Sequence, residues 1–385
     1  MFLTIIVFIL VLSLLVFVHE IGHFLTARKL GTRTEEFGFG FPPRIWGIYR
    51  NKEGKWKQVW GGKEVKDVPG TIYSVNWIPL GGFVNIKGQD GECENDSDSF
   101  SSKPIWKRAI MLSSGVIMNI VLAAVLFSIG FMIGLPQGVD NLDERAVVSE
   151  RRVQIIQVLP DTPAQTAGLK MADIVLSVDG QEFTRDADLQ AFTGQRQDQE
   201  LSYKIQRGNE ILDFKISPEL TETGEVEIGI GIINTGLVKY PWYLSIWKGI
   251  KISIVLIWVI IVAFYELIKN LIVGQPVGVE IAGPVGIASM TGQFARMGFV
   301  YLLQFTALLS VNLAVINFLP IPALDGGRVL FLIIEKIKGS PIKREVEAVI
   351  HNTGFFLLML LVLFITFKDI ARFGDKFKII LEKIF

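Results

Sequence analysis

Histidine and cysteine are both scarce in this chain, with three histidines and one cysteine in 385 residues. A single cysteine excludes an intramolecular disulfide and a Cys-rich metal site. That residue, Cys93, lies in the polar stretch Gln89 to Ser102 and is assigned no special role. Excess charge is also missing: 38 basic residues balance 38 acidic ones. Zero net charge without a basic tract argues against nucleic acid as a partner. Half of the residues are hydrophobic and the mean hydropathy is positive. Such a composition suits a membrane protein with soluble inserts and excludes an ordinary soluble globule.

Two of the three histidines fall within five residues of each other. The mostly apolar run Phe2 to Val18 ends in His19-Glu20-Ile21-Gly22-His23, an H-E-x-x-H motif on a helix long enough to enter a membrane. An α-helix returns to nearly the same face after four residues, so both imidazoles can point at one cation. Glu20 sits beside them, placed to take a proton from a water that zinc has acidified. A signal peptide is the competing reading of residues 2–18. Against it, no basic segment precedes the run and no small-x-small cleavage site follows it. Arg28, Lys29 and Arg33 follow instead, marking that end as cytoplasmic.

Apolar stretches recur at 2–25, 109–135, 250–272, 299–319 and 355–367. Between the first two lie Phe37-Gly38-Phe39-Gly40-Phe41 and Ile78-Pro79-Leu80-Gly81-Gly82-Phe83-Val84. The alternation from Thr71 to Ile86 reads as short strands with glycine turns. These form either a membrane-associated hairpin or sheet, or a small cytoplasmic β element. Lys103, Lys107 and Arg108 place the start of the second span on the cytoplasmic side. Residues 140–236 are charged and alternate in strand fashion, with short helices expected at Ala164 to Ala167 and at about Arg185 to Thr193. Strands and two helices in about a hundred residues make a self-standing α+β domain. The run from Leu159-Pro160-Asp161-Thr162-Pro163-Ala164 to Val178-Asp179-Gly180 resembles PDZ domains of bacterial envelope proteases, except that Ala172 stands where glycine usually precedes the aspartate. That resemblance implies binding of a peptide or a substrate ectodomain, and the setting fits a size gate as well.

Two histidines leave a catalytic zinc site short of a third protein ligand. In Asn317-Phe318-Leu319-Pro320-Ile321-Pro322-Ala323-Leu324-Asp325-Gly326-Gly327, two prolines break the apolar helix 299–319. The turn then presents Asp325 against glycines that allow close packing. An ionisable residue at a membrane helix end is functional by default.

With these motifs in hand, the chain resembles the site-2 protease family of intramembrane zinc metalloproteases, of the bacterial sigma-E-pathway type. The resemblance spans nearly the whole length, through the Phe37–Phe41 glycine motif, Pro79 to Val84, the PDZ insert, Gly283-Pro284-Val285-Gly286-Ile287 and Asn317 to Gly326. It implies that His19, His23 and Asp325 bind Zn2+, that Glu20 is the general base, and that Asn317 holds the substrate strand or the oxyanion. It further implies that the strands around 71–86 pair with an unwound substrate. Expected substrates are single-span membrane proteins already trimmed by another protease, such as anti-sigma factors, or remnant signal peptides. The fold class is then an α-helical polytopic membrane protein with a membrane-associated β element and an inserted PDZ domain, set in the lipid of a bacterial cytoplasmic membrane. Ser113-Ser114-Gly115 before Asn119 departs from the family's usual Ala-Gly-Pro, and one PDZ domain replaces the two of well-known Gram-negative members.

Parity constrains the topology. His19 lies at the cytoplasmic end of the first span, so Asp325 must emerge at the same end and helix 299–319 must run inward. The PDZ domain, after the second span, lies outside. The stretch 250–272 then lies in the interface despite its hydropathy, a reading that Lys248, Lys251, Glu266 and Lys269 favour. Residues 331–352 form a cytoplasmic connector before a last span. The competing class is a non-enzymatic membrane-anchored PDZ scaffold with a degenerate metal site, and the completeness of the four-residue constellation weighs against it.

Overall fold

A computed structural model of the chain describes residues 2–63, 65, 68–89, 96–140, 142–208, 210–220, 224, 226–275 and 282–384, so Cys93 lies outside the described residues. Two compact units emerge, one from Met1–Val125, Lys251–Gly292 and Phe305–Phe385, the other from Leu126–Ile250 and Gln293–Gln304.

The first unit begins with α1 (Phe2–Lys29), an apolar run that no proline interrupts. In lipid every backbone polar group needs an internal partner, and an unbroken helix supplies it. Gly31, at a φ of 73°, turns the chain away, and the Thr32 amide closes onto Ala27 O at 2.9 Å. Three strands follow, β1 (Thr34–Arg50), β2 (Trp56–Trp60) and β3 (Ile72–Ile86), in the order β2-β1-β3. The expected glycine-turned strands of 71–86 are thus the single irregular strand β3, which packs along α1. The Ser13 hydroxyl donates to Pro79 O at 2.8 Å and accepts from the Gly81 amide at 3.2 Å. Gly81 has a φ of 87°, and a Cβ there would strike Val16, so neither the turn nor the close approach admits a side chain. Next comes α2 (Ile105–Ile133), antiparallel to α1: Ala27 shares a buried cluster with Met111 and Leu112, Gly22 backs onto Ser114, and His19 meets Asn119.

The second unit is mostly β. Its strands are β4 (Leu135–Gly138), β5 (Val147–Val158), β6 (Ile174–Val178), β7 (Gln181–Glu182), β8 (Leu201–Arg207), β9 (Glu210–Ile216), β10 (Glu219–Leu220), β11 (Val226–Glu227) and β12 (Ile230–Lys239). The main sheet runs β4-β12-β5-β6-β8-β9, with β7 on β6, while β10 and β11 pair separately. Val153, Ile155, Val175, Tyr203 and Ile205 fill its core. Two helices, α3 (Pro163–Ala167) and α4 (Asp186–Gly194), fall where the sequence placed them. Capping explains α3: the Thr162 hydroxyl accepts from the Gln165 amide, Pro163 takes the first helical position, and Gly168 ends the helix at a φ of 88°. The sheet is longer than the expected 140–236, because Leu135–Gly138 pairs with residues 235–238 of β12.

The remaining helices are α5 (Trp242–Val273), α6 (Pro284–Met297), α7 (Phe299–Phe318), α8 (Asp325–Lys338) and α9 (Arg344–Ile384). Among the described residues, five helices, α1, α2, α5, α7 and α9, are long and apolar enough to cross a membrane. The sequence reading placed Asp325 in a turn and began a connector at 331. Asp325 instead opens α8, where a carboxylate suits the helix dipole. Gly326 and Gly327 pack so tightly on the carbonyls of Phe318, Leu319 and Ile321 that no Cβ fits. Leu332 of α8 joins the cluster of Ala27, Met111 and Leu112. Near the other end of α1, Gly292 of α6 lies against Thr4, and the Gly286 amide donates to Asp369 of α9 at 2.7 Å.

Ala172, where glycine was the expected residue, has a φ of 73°. A side chain in that region costs about 1–2 kcal/mol. We expect Ala172→Gly to stabilise the second unit by about 1 kcal/mol. Thermal resistance to trypsin cleavage within residues 147–239 of the full chain should rise, and an unchanged or lower midpoint would count against the strain.

Candidate metal centre

Three elements build the site. On α1, His19 and His23 are both buried, and their Nε2 atoms lie 3.2 Å apart. The first residue of α8 brings Asp325 Oδ2 to 3.0 Å from His19 Nε2 and 3.3 Å from His23 Nε2. All three ligating atoms lie within 4.8 Å of one another. On α2, Gly115 faces the gap, and a Cβ there would collide with both Nε2 atoms.

Hydrogen bonds behind the ring fix which nitrogen faces the gap. His23 Nδ1 lies 2.8 Å from Met111 O, an acceptor, so Nδ1 carries the proton and Nε2 presents a lone pair. His19 Nδ1 lies 3.3 Å from the Asn119 side-chain amide. Turning that amide over, which leaves its shape unchanged, lets Oδ1 accept from Nδ1–H and gives the otherwise unpartnered Oδ1 a bond. The Ser310 hydroxyl of α7 holds Asn119 from behind, donating to its backbone carbonyl at 2.8 Å.

Two inward lone pairs and a half-buried carboxylate are what a divalent cation of zinc's ligand preference requires. Among the described residues, Asp325 Oδ2 has no hydrogen-bond partner, and the space before it is kept open by the absent side chain of Gly115. The donor set therefore fits zinc, and His19, His23 and Asp325 are the residues that would hold it. Glu20 is largely enclosed beside them, near the Val84 backbone of β3.

The sequence-expected residues are thus brought together, with one exception. Asn317 sits half-buried in the last turn of α7 and is not among the three converging groups. Sequence reasoning missed Gly115, the Met111 carbonyl and the Val84 backbone, and it left Asn119 without a role. A buried asparagine in an apolar helix is itself a signal of function. A lone glycine or a main-chain carbonyl carries none.

A His-His-Asp cluster with an adjacent glutamate, its two histidines on a membrane-length helix, is the constellation of a metal-dependent hydrolase working at the membrane. Comparison with known proteins gives the family. The model of Peptidase family M50 matches residues 7–60 and 62–361, and the chain belongs to that family. Regulator of sigma-W protease RasP of Bacillus subtilis is 29% identical, over 96% of this chain and 98% of that protein. Zinc metalloprotease RasP of Bacillus licheniformis is 30% identical, over 96% and 99%. A Clostridium perfringens relative is 33% identical, over 94% and 97%. Among solved structures, the PDZ domain of an SdrC-like protein from Listeria monocytogenes shares 19% identity at a TM-score of 0.21, covering 22% of this chain and 92% of that one. So weak a likeness does not establish the fold of the second unit. The resemblance to site-2 proteases is borne out, and the chain is a metalloprotease.

Gly115 provides a specific check. Alanine favours a helix interior over glycine by about 1 kcal/mol, so Gly115→Ala strengthens α2 while closing the gap. Zinc content measured by mass spectrometry should fall at least tenfold, with helix content by circular dichroism unchanged. Full occupancy in this variant would move the metal elsewhere.

Proposed function

We propose that this protein is an intramembrane zinc protease that cleaves single-span membrane proteins within or near their transmembrane segments. The observation that carries this reading is the convergence of His19, His23 and Asp325 with Glu20 on a helix of membrane length. Bound zinc supplies Lewis acidity toward a peptide carbonyl and lowers the pKa of water. Glu20 takes the proton from the attacking water and passes it to the leaving amine. His19, His23 and Asp325 hold the metal, and Asn317 steadies the substrate strand or the developing oxyanion. A peptide bond inside a helix is shielded, so the substrate unwinds before cleavage. The β3 backbone, which lies near Glu20 at the edge of its sheet, is a suitable edge for the unwound strand to pair with. Substrates of this kind include anti-sigma factors first trimmed by another protease, and remnant signal peptides.

The topology follows from the same site. Ala27, Met111 and Leu332 share one cluster, which supports an arrangement with the ends of α1 and α8 on the side where α2 begins. Thr4 against Gly292 supports placing α6, and the approach to α7, on the opposite side. With Arg28 and Lys29 cytoplasmic, α7 runs inward and the chain returns to the outer side after α5. We therefore keep α5 in the outer interface. Its exposed Trp242, Tyr243, Trp247, Trp258 and Tyr265 suit the headgroup region. The second unit, which follows α2, acts as an external PDZ domain of a bacterial cytoplasmic membrane protein, binding or screening substrate ectodomains.

Two experiments test these assignments. Glu20→Gln should retain zinc and lose at least a hundredfold in cleavage rate of a model transmembrane substrate. Turnover near that of the native protein would remove Glu20 as the base. For topology, single cysteines replace Lys239, the exposed Gln293 or Ser340 in a Cys93→Ser background. The first two should react with an impermeant thiol reagent in intact cells, while the one at 340 stays protected. Labelling at 239 without labelling at 293 would show that α5 crosses the bilayer.

A further inference from the structure

Each histidine ligand is held from behind, His23 by Met111 O and His19 by Asn119. Asp325 follows a six-residue loop, 319–324, that must turn the chain sharply between α7 and α8. Within it the Ile321 amide bonds Leu319 O at 2.7 Å and the Leu324 amide bonds Ile321 O at 3.2 Å. Ala323 takes a φ of 77° without being glycine. Such a conformation persists only when its surroundings impose it.

The surroundings that impose it are on α9. The Ala323 amide donates to His351 Nδ1 at 2.9 Å. One turn further on, Gly354 lies so close to Pro322 that no Cβ would fit. His351 is wedged in place, since the Phe331 ring of α8 lies 5.3 Å from its own, and Glu347 Oε1 lies 4.0 Å from its Nε2. The third histidine of the chain thus serves the loop that ends at the ligand.

We propose that His351 is a positioning residue for the metal centre: by accepting the Ala323 amide proton it fixes the left-handed turn that brings Asp325 to His19 and His23. The inference rests on the zinc reading above. It assigns to α9 a role in metal retention, in addition to membrane anchoring. The bond made is to a strained backbone two residues from the ligand, so its loss lets the turn relax and withdraws the carboxylate. Supporting groups behind metal ligands characteristically influence affinity by 10–100-fold.

The test uses the purified full chain in detergent, with zinc affinity read by competition against a chelator. His351→Ala should weaken zinc binding on the order of tenfold or more. Asparagine places its side-chain oxygen close to where Nδ1 stood, so His351→Asn should restore affinity to within about threefold of the native protein. A second readout needs no metal. In zinc-free protein, hydrogen exchange at the Ala323 amide should be at least tenfold faster in His351→Ala than in the native chain, and slow again in His351→Asn. Asp325→Ala, the control for the zinc reading, should lose zinc while leaving that exchange slow. Native-like zinc affinity and exchange in His351→Ala would overturn the proposal and leave the zinc reading intact. Equal weakening in both His351 variants would overturn it too, by tracing the effect to ring packing on Phe331. Full zinc binding by Asp325→Ala would overturn the proposal together with the zinc reading.

Discussion

Two imidazole nitrogens 3.2 Å apart, His23's turned lone pair inward by the Met111 carbonyl and His19's able to follow through the Asn119 amide, are the constraint on which the first unit depends. Lone pairs so placed repel unless something positive lies between them. Asp325 completes the answer by adding a carboxylate to form a three-sided pocket for a cation. This requirement brings residues about 300 positions apart in the chain into one site. It also fixes the relative directions of α1, α2 and α8, because each must deliver one face to the same point. The small residues of the motifs follow from this closeness: Gly22 against Ser114, Gly115 before the metal gap, and Gly326 against the end of α7.

The electrostatics of the site are those of a buried group that needs a partner. A carboxylate taken from water costs several kcal/mol unless it is paired. A cation between Asp325 and the two histidines would be that partner, and the position of Asp325 as the first residue of α8 adds the favourable end of a helix dipole. Glu20 is treated differently. It lies beside the cluster without joining the converging set, near the strand proposed to receive the substrate. The proposed ligand and the proposed base are separated by which helix and which neighbour each side chain meets.

Much of this was legible in the sequence. The H-E-x-x-H spacing encodes a geometric fact about helices, and the apolar runs encode the thickness of a bilayer, so both survive without an alignment. Asp325 was found because prolines end α7 just before it. Helix α8 itself was missed: at fourteen residues it is too short to register as a span, and its double glycine reads as a turn until the tight packing on Phe318 and Leu319 is seen. Asn119 and His351 went unassigned because their roles are contacts across helices, with no signature in local spacing. Ala172 is the converse case. The family pattern asked for glycine there, and the backbone shows why, with the alanine held in the left-handed region.

The central claim concerns the ligand set, and X-ray absorption at the zinc edge of the purified protein reads that set directly. The account predicts two imidazole nitrogens at about 2.0–2.1 Å and a carboxylate oxygen at about 2.0–2.2 Å, with no sulfur shell. With three histidines in the chain, the imidazole count is tightly bounded. A sulfur ligand, a single imidazole, or an environment unchanged when Asp325 is replaced by alanine would contradict it.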